Sequence, residues 1–154
     1  YLKGNSFKLY PDFPNGGLVD IADYNDGKRG GKIRVRAKIR EIDKSTLVID
    51  EIPYNTTTTS LIDSIIKAND KGKIKIRKVI DNTADKVEIL VNLHKNQSPS
   101  ITIDALYAFT DCEVSISPNA CVIVNEKPQF LGVKEILKYS ADSTKKLLKK
   151  ELEI

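Results

Sequence analysis

Basic side chains at Lys32, Arg34, Arg36, Lys38 and Arg40 alternate with Ile33, Val35, Ala37 and Ile39. A β-strand sends successive side chains to opposite faces. As a strand, this run has one cationic face and one face apolar enough to sit on a core. Same-face neighbours lie roughly 6.5–7 Å apart, and such a row repels itself unless an anion neutralises it. Lys28 and Arg29 extend the run, and no Asp or Glu occurs between Lys28 and Arg40. The chemistry this suggests is contact with a phosphate backbone, whose oxygens pair well with Arg forks. Lys73, Lys75 and Arg77 alternate in the same way with Ile74 and Ile76, with Lys67, Lys71 and Lys78 nearby. Exposed and edge strands also carry Lys simply to block edge pairing, and the pattern alone leaves both readings open.

Other chemistry finds less support. Gly27-Lys28-Arg29-Gly30-Gly31-Lys32 superficially suggests a phosphate loop, but that motif needs Ser or Thr after the Lys and a helix behind it. Here Ile33 follows, and then a strand pattern. The glycines read better as a tight entry to the strand that lets backbone approach a duplex. His94 is the sole histidine, which suits neither a metal cluster nor a catalytic triad; it reads as a solvated strand end. No paired-carboxylate pattern suggests a magnesium site. Cys112 and Cys121 do not make a disulfide framework and read as small core residues of a reduced, cytosolic protein. The tyrosines each have an ordinary packing or surface role. The site expected is therefore Lys28, Arg29, Lys32, Arg34, Arg36, Lys38, Arg40, Lys73, Lys75 and Arg77, with no catalytic residue, no metal ligand and no cofactor.

These residues need elements to hold them. The cluster Pro11-Asp12-Phe13-Pro14-Asn15-Gly16-Gly17 predicts an ordered loop over 1–17. A short helix over 18–26, a strand over 32–42, a turn at Asp43-Lys44-Ser45 and a strand over 46–52 follow, ended by Pro53. Thr56 to Thr59 offer caps for a helix carrying Leu61, Ile62, Ile65 and Ile66 and ending near Asp70. Strands over 73–79 and about 87–93 flank a turn at Asn82-Thr83-Ala84. Pro99 opens a helix with Ile103, Leu106, Tyr107 and Phe109, and strands at about 112–117 and 120–125 form a hairpin around Pro118-Asn119. From Val133 a helical stripe runs through Ile136, Leu137, Ser140, Thr144, Leu147, Leu148 and Glu151. This order predicts an α+β fold: a largely antiparallel sheet with helices on one face, then the start of a long helix.

The chain has 154 residues, 40% hydrophobic and 30% charged, a globular balance and not a disordered one. Net charge is only +4, so the distribution of charge carries the argument. No apolar run approaches the roughly 18–20 residues of a membrane span, and no secretory signal pattern is present. The opening without Met and the stop inside a helical pattern read as a piece of a longer polypeptide.

Several motifs then stand in order: Pro11-Asp12-Phe13-Pro14 with Gly16-Gly17, Tyr24 and Gly27, Gly31 leading to Arg36-Ala37, Glu51-Ile52-Pro53-Tyr54, Leu61-Ile62, and Leu106-Tyr107. This succession resembles the A subunit of bacterial type IIA DNA topoisomerases, DNA gyrase and topoisomerase IV. The basic residues at Arg34 and Arg36 look closer to topoisomerase IV. The resemblance implies a tower domain over 1–130 and the first stretch of a coiled coil over 131–154. It implies duplex DNA as partner, through the backbone of the gate segment, with Gly31 and Arg36 on family positions. It implies a bacterial, cytoplasmic, nucleoid-associated parent, an ATP-dependent isomerase pairing two A subunits with B subunits that hold ATP and magnesium. The family's nucleophilic tyrosine sits in an Arg-Tyr-Thr context that this chain lacks, so this stretch is expected to be inactive alone. The segment Phe109-Thr110-Asp111-Cys112-Glu113 departs from the family's Gln-rich stretch. The competing reading is a structural or subunit-interaction module with solvated basic strands and no direct DNA role. An RNA-binding domain lacks interleaved aromatics in 28–40 and 71–79.

Overall fold

The computed structural model describes every residue except Tyr1, Leu2, Ser6 and Ile154; that part of the expected 1–17 loop lies outside the described residues. The chain forms two compact units: Tyr1–Pro11, Ile21–Ile33 and Ile116–Ile154 make the first, and Asp12–Asp20 and Arg34–Ser115 the second.

The second unit is built on antiparallel pairing. The strands are β1 (Leu18–Asp20), β2 (Ile33–Arg36), β3 (Lys38–Asp43), β4 (Thr46–Glu51), β5 (Ile76–Asp81), β6 (Ile89–Leu93) and β7 (Glu113–Ile116). They form a four-stranded sheet in the order β3-β4-β6-β5 and a three-stranded sheet in the order β1-β2-β7. Register puts Leu47 opposite Val91 and Ile49 opposite Ile89. These side chains are buried with Leu61, Ile65 and Leu106 in one apolar core. The helices supplying them are α1 (Thr58–Asp70) and α2 (Pro99–Phe109). Thr57 and Ser60 exchange side-chain and backbone hydrogen bonds in a capping box that starts α1. Pro99 stands in the first turn of α2, where a missing N–H costs nothing. The α+β class and the antiparallel pairing match the sequence reading.

Four expectations are corrected. Residues 18–20 are not helix but β1, pairing Val19 with Val35; only Asn25–Gly27 forms a single helical turn. The expected strand 32–42 is two strands in different sheets, broken at Ala37. There the Ala37 N–H donates to the Cys112 carbonyl (2.7 Å) and its carbonyl accepts from Tyr107 Oη (2.9 Å). Distant partners take both its backbone groups, so no Gly or Pro marks the break. The strand expected from Lys73 begins at Ile76. The last hairpin is not β7 with its successor.

In the first unit that hairpin is β8 (Cys121–Val124) with β9 (Lys127–Phe130), pairing Cys121 with Phe130 and Val124 with Lys127. Asn125 and Glu126 turn it with φ of 50° and 63°, the doubly left-handed turn that suits hairpin twist. Pro128 is tolerated because a two-stranded ribbon is all edge. The final helix, α3 (Val133–Leu152), starts where sequence placed it, and the Glu135 carboxylate accepts the Gly132 N–H at 2.8 Å. No residue of α3 is buried.

Candidate nucleic-acid interface

In the second unit the alternation from Arg34 to Arg40 survives the break. Val35 and Ala37 are buried, while Arg34, Lys38 and Arg40 are exposed and Arg36 half-buried. The expected self-repelling row does not survive. Arg34 meets Asp20 at 2.8 Å, Arg36 meets Glu113 at 2.5 Å and Lys38 meets Glu51 at 3.2 Å. Arg40 grips both oxygens of Asp50, with Nη2 at 2.9 Å from Oδ1. The acids come from other strands. Arg34 stands directly opposite Asp20 in the β1–β2 register, and Lys38 opposite Glu51 in β3–β4. Opposed charges across a ladder attract, so the sheet itself supplies the neutralising groups. The Glu113 hydrogen bond raises the Arg36 guanidinium above its ordinary range, and Asp50 does the same for Arg40. The Asp50 carboxyl is lowered by the Arg40 hydrogen bond. The Glu51 carboxyl is lowered first by the Gly17 N–H and then by Lys38.

Lys73, Lys75 and Arg77 are exposed, with Ile74 and Ile76 buried between them. Among the described residues, none of these three cations has an ion pair; Lys73 lies over the Phe109 ring at 5.7 Å. Lys38 and Arg40 share the four-stranded sheet with Arg77, but β3 and β5 are its opposite edges. Two cations outside the predicted set, Lys78 and Lys95, line one cleft with Arg77. His94 is exposed beside them.

In the first unit Lys28 pairs with Glu135 at 3.1 Å, while Arg29 and Lys32 are exposed with no ion pair among the described residues. The glycines there do make a tight entry. A Cβ on Gly31 would lie 2.5 Å from the Tyr24 carbonyl oxygen, and the Lys32 N–H donates to the Asp23 carbonyl at 2.8 Å. Strand β2 follows without a helix, unlike a nucleotide-binding loop. Cys112 is buried as expected, its thiol raised to about 11 by burial. Cys121 is exposed on β8, a correction: its strand has no second layer over that face. Among the described residues no cluster of His, Cys, Asp or Glu could hold a metal ion, and no helix is long and apolar enough to cross a membrane.

Several of the motifs that carried the resemblance meet one another in the second unit. The Gly17 N–H donates to Glu51 Oε2 at 2.5 Å, and the Phe13 and Tyr54 rings lie 4.9 Å apart. Gly17 has φ +94°, and a Cβ there would sit 2.8 Å from the Arg36 carbonyl oxygen. Arg36 lies over the Tyr107 ring at 5.0 Å, and Tyr107 reaches Ala37. These short motifs, distant along the chain, are thus in mutual contact within this unit.

The profile of the DNA gyrase/topoisomerase IV family, for its A subunit, matches residues 1–154. The DNA topoisomerase 4 A subunit of Borreliella burgdorferi is 44% identical over 153 residues, covering 99% of this chain and 24% of the relative. The DNA gyrase A subunit of Lawsonia intracellularis is 32% identical over 147 residues, 90% of this chain and 18% of the relative. The chloroplastic/mitochondrial DNA gyrase A subunit of Nicotiana benthamiana is 30% identical over 145 residues, 86% of this chain and 15% of the relative. The chain therefore spans a quarter or less of the length of these relatives. With the whole sequence matched by the family's profile, the chain belongs to the family of DNA gyrase/topoisomerase IV A subunits.

Proposed function

We propose that this chain is the tower portion, with the root of a coiled coil, of the breakage-reunion subunit of an ATP-dependent type IIA topoisomerase. Its role is to hold the backbone of the gate DNA segment without reading sequence. The parent would pair two A subunits with B subunits that carry ATP and magnesium, in bacterial cytoplasm at the nucleoid. The carrying observation is that five of the cations expected from the sequence are exposed with no ion pair among the described residues: Arg29 and Lys32 in the first unit, and Lys73, Lys75 and Arg77 in the second. An unpaired cation gains more from a phosphate than one already matched, because it has no carboxylate partner to give up, and each phosphate it neutralises releases counterions from the nucleic acid. Fluorescence anisotropy of the chain with a short mixed-sequence duplex tests this. Each phosphate neutralised contributes about −0.9 to the slope of log affinity against log salt, and several contacts should make binding weak and steeply salt-dependent. Absence of salt-sensitive binding at low ionic strength would overturn the reading.

A second reading, the subunit-interaction module, has its own support. Along α3, Leu137, Leu147, Leu148 and Leu152 are all exposed, and the ribbon cations are matched within the fold. Sedimentation analysis separates the two: a chain that self-associates yet ignores DNA favours this one.

A further inference from the structure

The ladder between β5 and β6 shifts register between Ile76 and Lys78. Ile76 stands opposite Leu93 and Val79 opposite Val91, and both Leu93 and Val91 are buried. Strict alternation would put Lys78 on the same side as Ile76. The bulge resets the phase instead, so that Arg77 and Lys78 are consecutive and both exposed. Lys95, just past the end of β6, joins them. Arg77, Lys78, Lys95, Asn92 and Ser45 line a cleft of about 430 Å³, and Arg77, Lys95 and His94 line an adjoining one of about 400 Å³. No carboxylate lines either. Among the described residues, Arg77, Lys78 and Lys95 have no ion pair. Thr46 Oγ1 makes a long contact to Asn92 Oδ1 at 3.4 Å, which occupies the amide oxygen and leaves its NH₂ group to donate elsewhere.

Resting on the DNA-binding reading above, we infer that the duplex phosphate backbone seats in this cleft, on Arg77, Lys78 and Lys95 with Asn92 as a neutral donor. The Arg34–Arg40 ribbon is not its seat. Three unmatched cations and an amide NH₂, with no acid among them, suit an anion of repeated phosphates. No aromatic ring lines the cleft of Arg77, Lys78 and Lys95, and His94 is the one ring of the adjoining cleft, which argues against a run of unpaired bases, bound by successive stacking.

The test compares three forms of the chain by anisotropy with the same duplex across a salt series. Arg77→Gln with Lys78→Gln and Lys95→Gln should flatten the salt slope by about 2.7, three contacts at about 0.9 each. Arg34→Gln with Arg36→Gln should leave the slope within about 0.5 of the parent, less than one contact. Circular dichroism confirms that each form is folded; single substitutions at Lys78 and Lys95, both exposed, serve if the triple form is not. Loss of binding in the ribbon variant with the cleft variant unchanged would overturn the seat while leaving DNA binding intact. Equal binding of a single-stranded oligonucleotide would overturn the duplex. A chain that binds no DNA would overturn the function itself and reduce the cleft cations to guards of an edge strand.

Discussion

The ribbon Arg34–Arg40 and the β5–β6 cleft present opposite cases of surface charge. The ribbon is the denser cationic run in sequence, yet each of its cations faces a carboxylate. The cleft draws the adjacent Arg77 and Lys78 from β5 and Lys95 from beyond the end of β6, and no carboxylate lines it. The ribbon's strands each have a neighbour bearing acids, Asp20 on β1, Asp50 and Glu51 on β4, and Glu113 on β7. Strand β5 is a sheet edge, with β6 alone beside it, and its bulge turns two cations outward together. Charge density along a chain and charge density on a surface are therefore different quantities, and strand pairing converts one into the other. Exposed pairs such as those of the ribbon add little to stability, because water screens them. Their larger consequence is to cancel the field that would draw an anion.

After the cleft variant's change of about 2.7 in slope, unmasking the ribbon gives the largest expected effect. Asp20→Asn with Asp50→Asn frees Arg34 and Arg40 of their partners, and the anisotropy salt slope should steepen by about 1.8, two contacts at about 0.9 each. An unchanged slope would mean that the carboxylates do not screen this face. Next in size, Glu113→Gln removes the charge partner of Arg36, whose side chain is 43% exposed and so still reaches water. A cost of about 1 kcal/mol is expected in urea denaturation, while the cleft variants should stay close to the parent in stability. The smallest effect is on pH. The Asp50 and Glu51 carboxyls are lowered in the folded chain, so their contribution is fully present above the ordinary carboxylate range, about pH 4. It is lost as pH falls through their folded values. Thermal midpoints measured on acidification should drop through that window, and Glu51→Gln should reduce the drop; cleft substitutions should leave it alone.

Much of the fold was legible because it is local. The capping pair at Thr57, the Pro at position 99 and the apolar spacing of Leu61 and Ile65 placed α1 and α2, and the stripe from Val133 placed α3. Strand β1 escaped because three residues carry too short a pattern and pair only through Val35 and its neighbours. Strand β9 escaped because Pro128 argues against a strand and Asn125-Glu126 lacks the usual turn glycine. The break at Ala37 escaped because its causes, Cys112 and Tyr107, lie far along the chain. Of the candidate site, exposure was legible at Lys73, Lys75 and Arg77, whereas Lys78 was hidden by a bulge that alternation cannot register.

The amino-acid sequence by itself determined for most positions which side chains turn to the core and which to water, since alternation and helical spacing are set by neighbouring backbone geometry; Lys78 and Cys121 are the exceptions. It also carried the family, through short motifs whose residues touch in the folded chain. Only the tertiary structure decided which cations remain unmatched. That depends on strand order and register, which bring Asp20, Asp50, Glu51 and Glu113 opposite the ribbon and leave the far edge of the sheet without a carboxylate in its cleft.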